Sequence, residues 1–268
     1  MIRLTDKEFN DIVTYIKSNY GINLTKKRQL IESRMQAVLV SKGFTNFTDY
    51  FNLVKQNKSD EVTLMLNKLT TNHTYFYREP AHFEFMRKVF LPMQEKTNTR
   101  KVLRIWSAGC SSGEEAYTTI MTMMEYFGIK KASWDFRILA TDISLKAMEA
   151  AKNGVYGEES LKELPKTWKM KYFNKQGDEY YELKDEVRNQ VIFKRLNLMD
   201  PFPYQQPFDL IFCRNVMIYF DQPTKNALIN KFYNALKSGG YLFIGHSETV
   251  QRDTSPFIYV EPSIYRKG

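Results

Sequence analysis

A short turn of small residues between an apolar strand and a helix constrains the fold of this chain more than any other feature. Residues 102–106 are mostly apolar, residues 107–113 contain two glycines and three serines, and residues 114–127 place apolar side chains at helical spacing. A strand that turns directly into a helix is typical of the first unit of a parallel sheet. Such a turn also predicts a ligand site, because small residues let a ligand approach the backbone and the helix start offers free N–H groups.

Strands and helices continue to alternate through the rest of this half of the chain. A closing antiparallel hairpin around Pro262 follows the last parallel strand. The alternation predicts an α/β domain whose mostly parallel seven-stranded sheet is covered by helices on both faces. The strands are expected at residues 102–106, 136–140, 191–195, 208–213, 241–245, 257–260 and 263–266, and the helices at 114–127, 144–152 and 223–237.

The first seventy residues show helical periodicity and no strand pattern. Thr5 and Glu8 have the spacing of a capping box, and Gly21 is suited to end the first helix. We predict an all-α bundle at residues 1–70, a linker with a connecting helix at 71–100, the α/β domain at 101–268, and a small inserted β-hairpin near 172–190. Later bundle helices are expected at 25–42, 47–54 and 62–69, a connecting helix from Pro80, and a non-helical linker at 92–100.

The composition excludes several classes of protein. Two cysteines, Cys110 and Cys213, stand far apart in the sequence and give neither a disulfide framework nor a zinc motif. The histidines His73, His82 and His246 are isolated in the sequence, so no metal site is expected. Neither a signal-peptide pattern nor an apolar run long enough to span a membrane is seen, and a reduced, cytoplasmic protein is expected.

The chain is basic, with a net charge of +9 and a pI of about 9.3. A basic protein often meets an acidic partner, and nucleic acid, anionic lipid and an acidic protein surface all satisfy this condition. Charge alone does not choose among them. Part of the charge is concentrated on the helix expected at 25–42, which predicts either a solvated face or a docking face for an acidic partner. The residues of that cluster are Lys26, Lys27, Arg28, Arg34 and Lys42, against one acidic residue, Glu32.

Acidic side chains follow the glycine turn and the second strand. Glu114 and Glu115 open the helix after the turn, where they would repel a pyrophosphate and suit a cationic ligand. S-adenosylmethionine, which carries an ammonium and a sulfonium, is such a ligand. Asp142 is placed to bind ribose hydroxyls, although it could instead cap the next helix, for which Ser144 is an equal candidate. The plainer interpretation of the turn is structural, without any ligand.

Several segments in the same order resemble the bacterial chemotaxis receptor methyltransferases, the CheR family. They are the linker TTNHTYFYRE at residues 70–79, the glycine turn through Glu115, the turn at 140–142, the segment CRNVMIYF at 213–220 and the sequence GHSE at 245–248. The resemblance covers nearly the whole chain, the helical bundle included. It implies a class I, Rossmann-like S-adenosylmethionine methyltransferase that converts receptor glutamates into methyl esters for sensory adaptation, a protein-glutamate O-methyltransferase.

The resemblance also implies which residues bind the cofactor and its product, S-adenosylhomocysteine. Glu115 would hold the methionine ammonium, Asp142 the ribose, and two residues after the third main strand would flank the adenine. Arg78 and Tyr219 are the predicted catalytic residues, with Tyr219 near the transferred methyl group. A glutamate acceptor is already ionised at neutral pH, so we expect both residues to orient groups and not to move protons. The predicted cofactor-binding residues are Asn72, Thr74, Arg78, Glu115, Asp142, Asn197, Leu198, Arg214 and Asn215.

The partner implied by the resemblance is the cytoplasmic helical region of chemotaxis receptors, with Lys26, Lys27, Arg28 and Arg34 as docking residues. Contact with the membrane is expected only through receptors, and no nucleic acid is expected. Some family members bind a C-terminal receptor peptide through a longer, glycine-rich hairpin loop, and the short loop at 174–179 predicts no dependence on that tether.

Two alternatives stay open. The first is a nucleic-acid methyltransferase, which the net charge favours, although residues 213–216 lack the Asx-Pro-Pro-aromatic run of base-modifying amino-methyltransferases. The second is a non-catalytic adaptor that binds receptors, because a cofactor motif does not by itself establish turnover.

Overall fold

The computed structural model describes residues 2–56, 59–70, 73–251, 253 and 255–268. The capping box of the first helix is confirmed, since the backbone N–H of Glu8 donates to the Thr5 hydroxyl and the Glu8 carboxylate accepts from the Thr5 N–H. Gly21 ends this helix with a left-handed φ of 73°, which costs glycine little. The bundle consists of α1 (Asp6–Tyr20), α2 (Arg28–Ser41), α3 (Phe47–Lys55) and α4 (Ser59–Leu69).

Helix α2 begins at Arg28, later than the predicted residue 25. The Asn23 side chain accepts hydrogen bonds from the backbone N–H of Thr25 at 3.1 Å and from its hydroxyl at 2.8 Å. This local turn competes with helix formation. Lys26 and Lys27 therefore lie in the connection before α2 and not on the helix itself.

A continuous helical segment leads from the bundle towards the sheet. Helix α5 (Pro80–Phe85) passes through a π-helical turn at Met86–Phe90 into α6 (Leu91–Thr97). The prediction of a non-helical linker from residue 92 is therefore wrong for residues 92–97. In a regular α-helix the ring of Pro92 would clash with the carbonyl four residues earlier, and the wider turn just before it accommodates the ring.

The α/β domain alternates strands and helices over most of its length. Its strands are β1 (Ile105–Ala108), β2 (Ile138–Asp142), β3 (Val155–Gly157), β4 (Phe173–Gln176), β5 (Tyr180–Leu183), β6 (Val191–Arg195), β7 (Phe208–Cys213), β8 (Leu236–Ile244), β9 (Phe257–Glu261) and β10 (Ile264–Lys267). Its helices are α7 (Glu114–Phe127), α8 (Leu145–Asn153), α9 (Lys166–Tyr172), α10 (Asp185–Arg188) and α11 (Gln222–Ala235).

The predicted fold class is confirmed. The main sheet has seven strands in the order β6–β2–β1–β7–β8–β10–β9. The first five strands of that order, from β6 through β2, β1 and β7 to β8, pair in parallel. Strand β10 pairs antiparallel with both β8 and β9. The chain moves outward from β1 to β6 and then crosses to the other side of β1, so the strand order reverses between β1 and β7. Ligands of open α/β sheets bind at the carboxyl ends of the strands at such a point.

Strand β1 begins at Ile105 and not at residue 102 as predicted. Val102 forms only an isolated bridge with Asp135. The backbone N–H of Arg104 donates to a side-chain oxygen of Asp209 at 2.8 Å. The residues before Ile105 therefore bond to Asp135 and Asp209 and not to β2. The regular ladder of hydrogen bonds with β2 starts at Ile105.

The predicted insertion is a small antiparallel sheet and not a lone hairpin. Strands β4 and β5 form the expected hairpin, and β3 pairs with the other side of β5. Sequence reasoning missed β3 because three residues are too few to show an alternating pattern. The expected hairpin range also extended too far, since Asp185–Arg188 forms helix α10.

Alternate residues of the main strands point to opposite faces of the sheet and into two apolar cores. Trp106 and Ile211 belong to the core that the apolar residues of the N-terminal bundle also join. Ile105 and Phe212 belong to the core on the other face, together with residues of α5 and α7. The bundle is thus packed against the sheet and not merely tethered to it. Among the described residues, no helix combines the length and the hydrophobicity that crossing a lipid bilayer requires.

Candidate active site

The glycine turn after β1 lies against two neighbouring loops. The backbone N–H groups of Gly109 and Cys110 donate to the Thr141 carbonyl at 2.8 and 2.9 Å, which joins the turn to the end of β2. Gly109 has a φ of 89°, and a Cβ atom there would lie 2.5 Å from Cγ2 of Val216. Glycine is therefore required where the turn meets the loop after β7.

A cavity of about 300 Å³ opens at this point, beyond the carboxyl ends of the central strands. Its wall combines residues of the bundle, the linker and the sheet loops. Asn72, one of the predicted cofactor-binding residues, lies outside the described residues. The predicted residues that the structure brings to the wall are Thr74, Arg78, Glu115, Asp142, Asn197, Leu198, Arg214, Asn215 and Tyr219.

Sequence reasoning missed the part of the wall that the bundle contributes. Tyr20 and Ile22 line the cavity, and Ile22 forms an isolated antiparallel bridge with Phe220. The predicted adenine neighbour Asn197 is tied to the same bundle, since its side-chain amide donates to the Asn19 carbonyl at 2.7 Å. Contacts between residues so far apart in the chain leave no local signal in the sequence.

The two carboxylates that open α7 point in different directions. Glu115 lines the cavity. Glu114 is buried with the Ser112 hydroxyl at 2.8 and 3.0 Å from its two oxygens, and burial raises the pKa of Glu114 to about 6. The expectation that both acids face a cation is wrong for Glu114, because consecutive residues of a helix are rotated by roughly 100° about its axis.

Glu115 keeps part of its acceptor capacity for a ligand. One carboxylate oxygen accepts from the Ser107 hydroxyl at 2.6 Å, and the other lies 3.3 Å from Nη1 of Arg214. Burial raises the pKa of Glu115, while Arg214 and the Ser107 hydroxyl oppose the rise. A carboxylate offers about four lone-pair sites, so both oxygens can accept a further hydrogen bond.

The sequence offered both Asp142 and Ser144 as the cap of the next helix, and the structure assigns the cap to Ser144 and leaves Asp142 at the cavity wall. The Ser144 hydroxyl accepts from the Ala147 N–H at 3.2 Å and caps α8. Asp142 accepts from the backbone N–H groups of Ser111 at 2.8 Å and Ser144 at 2.9 Å, which fixes its carboxylate at the cavity wall. Burial raises the pKa of Asp142, and these backbone donors oppose the rise.

Arg214 connects the linker with the start of α7, and its side chain is only 3% exposed. Nε donates to Glu79 at 3.1 Å, and Nη1 donates to Glu115 at 3.3 Å. Nη2 donates to the carbonyl oxygen of Arg78. Glu79 was not among the predicted site residues, although it ends the linker motif, because its partner stands far away in the sequence.

The two predicted catalytic residues reach the same cavity from different segments. Nη1 of Arg78 donates to the His73 carbonyl at 2.6 Å, and the guanidinium carbon lies 5.8 Å from the centroid of the Tyr75 ring. Tyr219 comes from the loop after β7, and its carbonyl accepts from the Asn23 N–H at 2.8 Å. Both residues are therefore held in place by contacts within the protein.

Glu248 supports that same loop and was quoted from the sequence only as part of the GHSE segment. Its carboxylate is buried and accepts from the backbone N–H groups of Gly245 at 2.6 Å, Asn215 at 2.9 Å and Ile218 at 3.1 Å. Asn215 adopts a left-handed φ of 59°. A glutamate three residues after a glycine at a strand end is the signal that could have pointed to this role.

Two of the three histidines, His82 and His246, are isolated in the sequence but lie close together in the structure. Ligand atoms of Glu79, His82 and His246 lie within 4.8 Å of one another. His82 is fully buried, and burial together with Arg214 lowers its pKa to about 3, so the ring is neutral at physiological pH. The guanidinium of Arg214, whose Nε lies 3.1 Å from a Glu79 carboxylate oxygen, would repel a metal cation placed there.

The chemistry of the wall fits S-adenosylmethionine. Glu115 suits the ammonium and Asp142 the ribose hydroxyls, while the guanidinium groups of Arg78 and Arg214 suit the carboxylate. Ile143, Leu198 and Phe220 add apolar contact area for a base. A doubly wound sheet that carries this set at its strand-order reversal defines a methyltransferase that uses S-adenosylmethionine.

Comparison with known proteins agrees with that class. Residues 72–265 match the family described as CheR methyltransferase, SAM binding domain, and residues 7–70 match CheR methyltransferase, all-alpha domain. The chain therefore belongs to the CheR methyltransferase family, and its α/β domain binds S-adenosylmethionine. The resemblance seen in the sequence is confirmed.

Named relatives cover almost the whole chain. It is 45% identical to a chemotaxis protein methyltransferase of Borreliella burgdorferi over 100% of this chain and 96% of the relative. A chemotaxis protein methyltransferase of Escherichia coli is 37% identical over 92% of this chain and 86% of the relative. A probable chemotaxis protein methyltransferase of Rhizobium etli is 37% identical over 88% and 90%.

Proposed function

We propose that this methyltransferase transfers a methyl group from S-adenosylmethionine to glutamate side chains of chemotaxis receptors in the cytoplasm. The products are glutamate methyl esters and S-adenosylhomocysteine. The observation that carries the proposal is the single cavity that joins the cofactor carboxylates Glu115 and Asp142 to Arg78 and Tyr219. The names of the relatives support the receptor as the substrate, since they are chemotaxis protein methyltransferases.

The chemistry requires little proton transfer. The bound cofactor supplies a methyl group on a positively charged sulfur. An acceptor carboxylate oxygen forms a bond to the methyl carbon, while the carbon–sulfur bond breaks and its electron pair stays on sulfur. The acceptor is ionised at neutral pH, so it needs no general base. Cys110 lines the cavity, but burial raises the pKa of its thiol well above the usual range and keeps it protonated.

The protein therefore acts by placement and by exclusion of water. The negative charge of the acceptor carboxylate and the positive charge of the sulfur both decrease as the bond forms. Strong stabilisation of either charge would therefore favour the ground state. Arg78 and Tyr219 orient the acceptor and the cofactor in this proposal. Support comes from their anchoring, since Arg78 is held by the His73 carbonyl and Tyr219 by the Asn23 N–H.

The proposed receptor docking face contains fewer available basic side chains than the cluster predicted from the sequence. Lys26 and Lys27 are exposed in the turn before α2. Arg28 is engaged with the Leu4 carbonyl at 3.0 Å and with Asp6 at 2.6 Å. Arg34 donates to the carbonyl of Lys68 at 3.2 Å and of Thr70 at 3.3 Å, which ties α2 to the end of α4. Acidic receptor helices would meet Lys26 and Lys27 first, while Arg28 and Arg34 also hold the bundle together.

The test uses S-adenosylmethionine with a labelled methyl group and membranes that contain chemotaxis receptors. A glutamate methyl ester releases volatile methanol on treatment with base, and we expect label in that fraction. Asp142→Asn should reduce the signal strongly, because the amide replaces an acceptor oxygen with a donor at the ribose position. Cofactor binding without any methanol release would indicate an adaptor, and label that stays with added RNA or DNA would indicate a nucleic-acid methyltransferase.

A further inference from the structure

We infer that Glu79 is a positioning residue that draws Arg214 away from full pairing with Glu115, so that the negative charge of Glu115 is left partly uncompensated and can pair with a cationic cofactor. Glu79 itself is absent from the wall of the cavity. The inference rests on the binding of S-adenosylmethionine and not on the identity of the methyl acceptor.

The backbone at Glu79 is held in an unusual conformation. Its φ of 57° and ψ of 68° are left-handed, and Pro80 follows directly. A residue with a side chain adopts this conformation at a cost, and it persists only where surrounding contacts impose it. Those contacts are made by the carboxylate, which accepts from Nε of Arg214 at 3.1 Å and from the His246 N–H at 3.2 Å. The side chain is 12% exposed.

The contact between Arg214 and Glu115 is weak for a buried ion pair. A single nitrogen of Arg214 reaches Glu115, at 3.3 Å, whereas charge-assisted hydrogen bonds are usually about 2.7–2.9 Å long. The remaining nitrogens are directed elsewhere, with Nε on Glu79 and Nη2 on the Arg78 carbonyl. Without the charge of Glu79, the guanidinium could turn to form the bidentate pair that arginine favours with a carboxylate. Arg214 would then compensate the charge of Glu115, and less of that charge would be available to a cofactor.

The charges around the cavity support the same conclusion. Arg78 and Arg214 cancel the formal charges of Glu115 and Asp142 in the wall. Glu79, directly behind Arg214, shifts this balance to the negative side. S-adenosylmethionine carries one more positive charge than S-adenosylhomocysteine, so a negative surplus favours the cofactor over its product.

Other groups near Glu79 do not replace its charge. His82 has Nδ1 at 3.6 Å from the Glu79 carboxylate but is neutral at physiological pH, since its pKa is lowered to about 3. His246 contacts Glu79 through its backbone N–H. The buried acids Glu114 and Glu248 are held by the Ser112 hydroxyl and by backbone N–H groups, respectively, and not by Arg214.

The experiment compares the binding of S-adenosylmethionine and S-adenosylhomocysteine to purified full-length protein by titration calorimetry, with no acceptor present. For Glu79→Gln we expect the dissociation constant of S-adenosylmethionine to rise on the order of tenfold and that of S-adenosylhomocysteine only about threefold. Both dissociation constants rise because the ammonium that the two ligands share loses part of its interaction with Glu115. The constant of S-adenosylmethionine rises more because only that ligand carries the sulfonium. Glu79→Asp keeps the charge and should keep the wild-type ratio of the two constants.

The matched control is Glu84→Gln, the same change of charge on α5 at a residue that contacts Tyr77, Arg87 and Lys88. It should leave both constants unchanged. Equal weakening of both ligands by Glu79→Gln, wild-type binding of both, or the same shift of the ratio in Glu79→Asp would overturn the inference. If Glu79→Gln does not fold, Glu79→Asp still tests the inference, since a wild-type ratio of the two constants agrees with it and a shifted ratio overturns it. Failure of methyl transfer to glutamate, with these binding results intact, would contradict the proposed acceptor alone.

Discussion

The backbone N–H of Asn23 donates a hydrogen bond to the carbonyl oxygen of Tyr219 at 2.8 Å. The adjacent residues, Ile22 and Phe220, form an isolated antiparallel bridge. The turn after the first helix of the bundle therefore supports the loop that carries the proposed catalytic tyrosine. Lys26, in the proposed docking face, stands three residues after Asn23 in that turn. One short segment thus connects the proposed receptor docking face with the loop that holds Tyr219.

Gly21→Ala tests this segment. Gly21 has a φ of 73°, and a Cβ atom there would lie 2.7 Å from the sulfur of Met199 and 3.0 Å from Cγ2 of Thr224. We expect a loss of about 2 kcal/mol in the free energy of unfolding in urea, from left-handed strain and crowding together. S-adenosylhomocysteine should also bind several-fold more weakly, because Ile22 lines the cavity.

Gly43→Ala is the matched control. Gly43 has a φ of 76°, but no atom lies within 4 Å of an added Cβ. We expect a loss of only about 1 kcal/mol from backbone strain and no effect on cofactor binding. Equal effects of the two substitutions on binding would contradict the supporting role of the segment.

Tyr219→Phe tests whether the tyrosine orients groups or transfers protons. If the hydroxyl orients groups, its loss should lower kcat about tenfold and introduce no new ionisation into the pH–rate profile. The measurement is the initial rate of methanol-releasable labelling of receptors across a range of pH. A new ionisation in the profile of the variant would exclude the orienting role.

Lys26→Ala with Lys27→Ala tests the docking face. Two exposed positive charges should contribute about threefold to tenfold in receptor affinity at low salt, and less as screening increases. Binding to receptor-containing membranes is measured at several salt concentrations. As a control, the double variant Lys152→Ala with Lys166→Ala removes two exposed charges from the α/β domain and not from the bundle, and it should bind receptor-containing membranes normally. Unchanged affinity in the first variant would remove the docking face from the proposal.

Glu114→Gln tests the buried carboxylate that does not face the cavity. The pKa of Glu114 is about 6 in the folded protein, above its ordinary value of 4.5. The folded state therefore binds the proton more tightly than the unfolded state, and ionisation destabilises the fold as the pH rises through this window. Across the full titration, from about pH 3.5 to about pH 7, the free energy of unfolding of the variant should rise by about 2 kcal/mol relative to that of the wild type, and the difference should then stay constant.

The control for this prediction is Glu163→Gln, which removes an exposed carboxylate. Its stability difference from the wild type should not change over the same pH range. A pH-independent difference for Glu114→Gln would show that the burial of Glu114 has no electrostatic cost.

Glu248→Gln tests the support of the loop after β7. The carboxylate accepts backbone hydrogen bonds from Gly245, Asn215 and Ile218, and an amide would turn a donor towards at least one of them. We expect the free energy of unfolding to fall by about 2–3 kcal/mol and S-adenosylhomocysteine to bind more weakly. Glu261→Gln, at an exposed position of β9, is the control and should change neither quantity. Normal cofactor binding in Glu248→Gln would show that the loop does not depend on this residue.

Local chemistry in the sequence accounts for the elements and for the place of the site. The capping box of Thr5 and Glu8, the helical spacing in α1 and the apolar run of β7 each depend on residues that are near neighbours, so they can be predicted without a structure. Alternation of strands and helices then predicts a parallel sheet and a ligand at its carboxyl edge. A predicted helix boundary is wrong where a side chain forms a hydrogen bond with the nearby backbone, as Asn23 does with the N–H of Thr25 before α2.

The partners of the buried charges depended on tertiary structure. Glu79 and Arg214 are 135 residues apart and meet only because the linker crosses the end of β7. Helical rotation directs Glu115 into the cavity and Glu114 into the interior, a choice that two adjacent glutamates do not reveal. Periodicity is local and can be recognised in a single chain segment, whereas the energy of a buried charge depends on whichever distant group the fold places beside it.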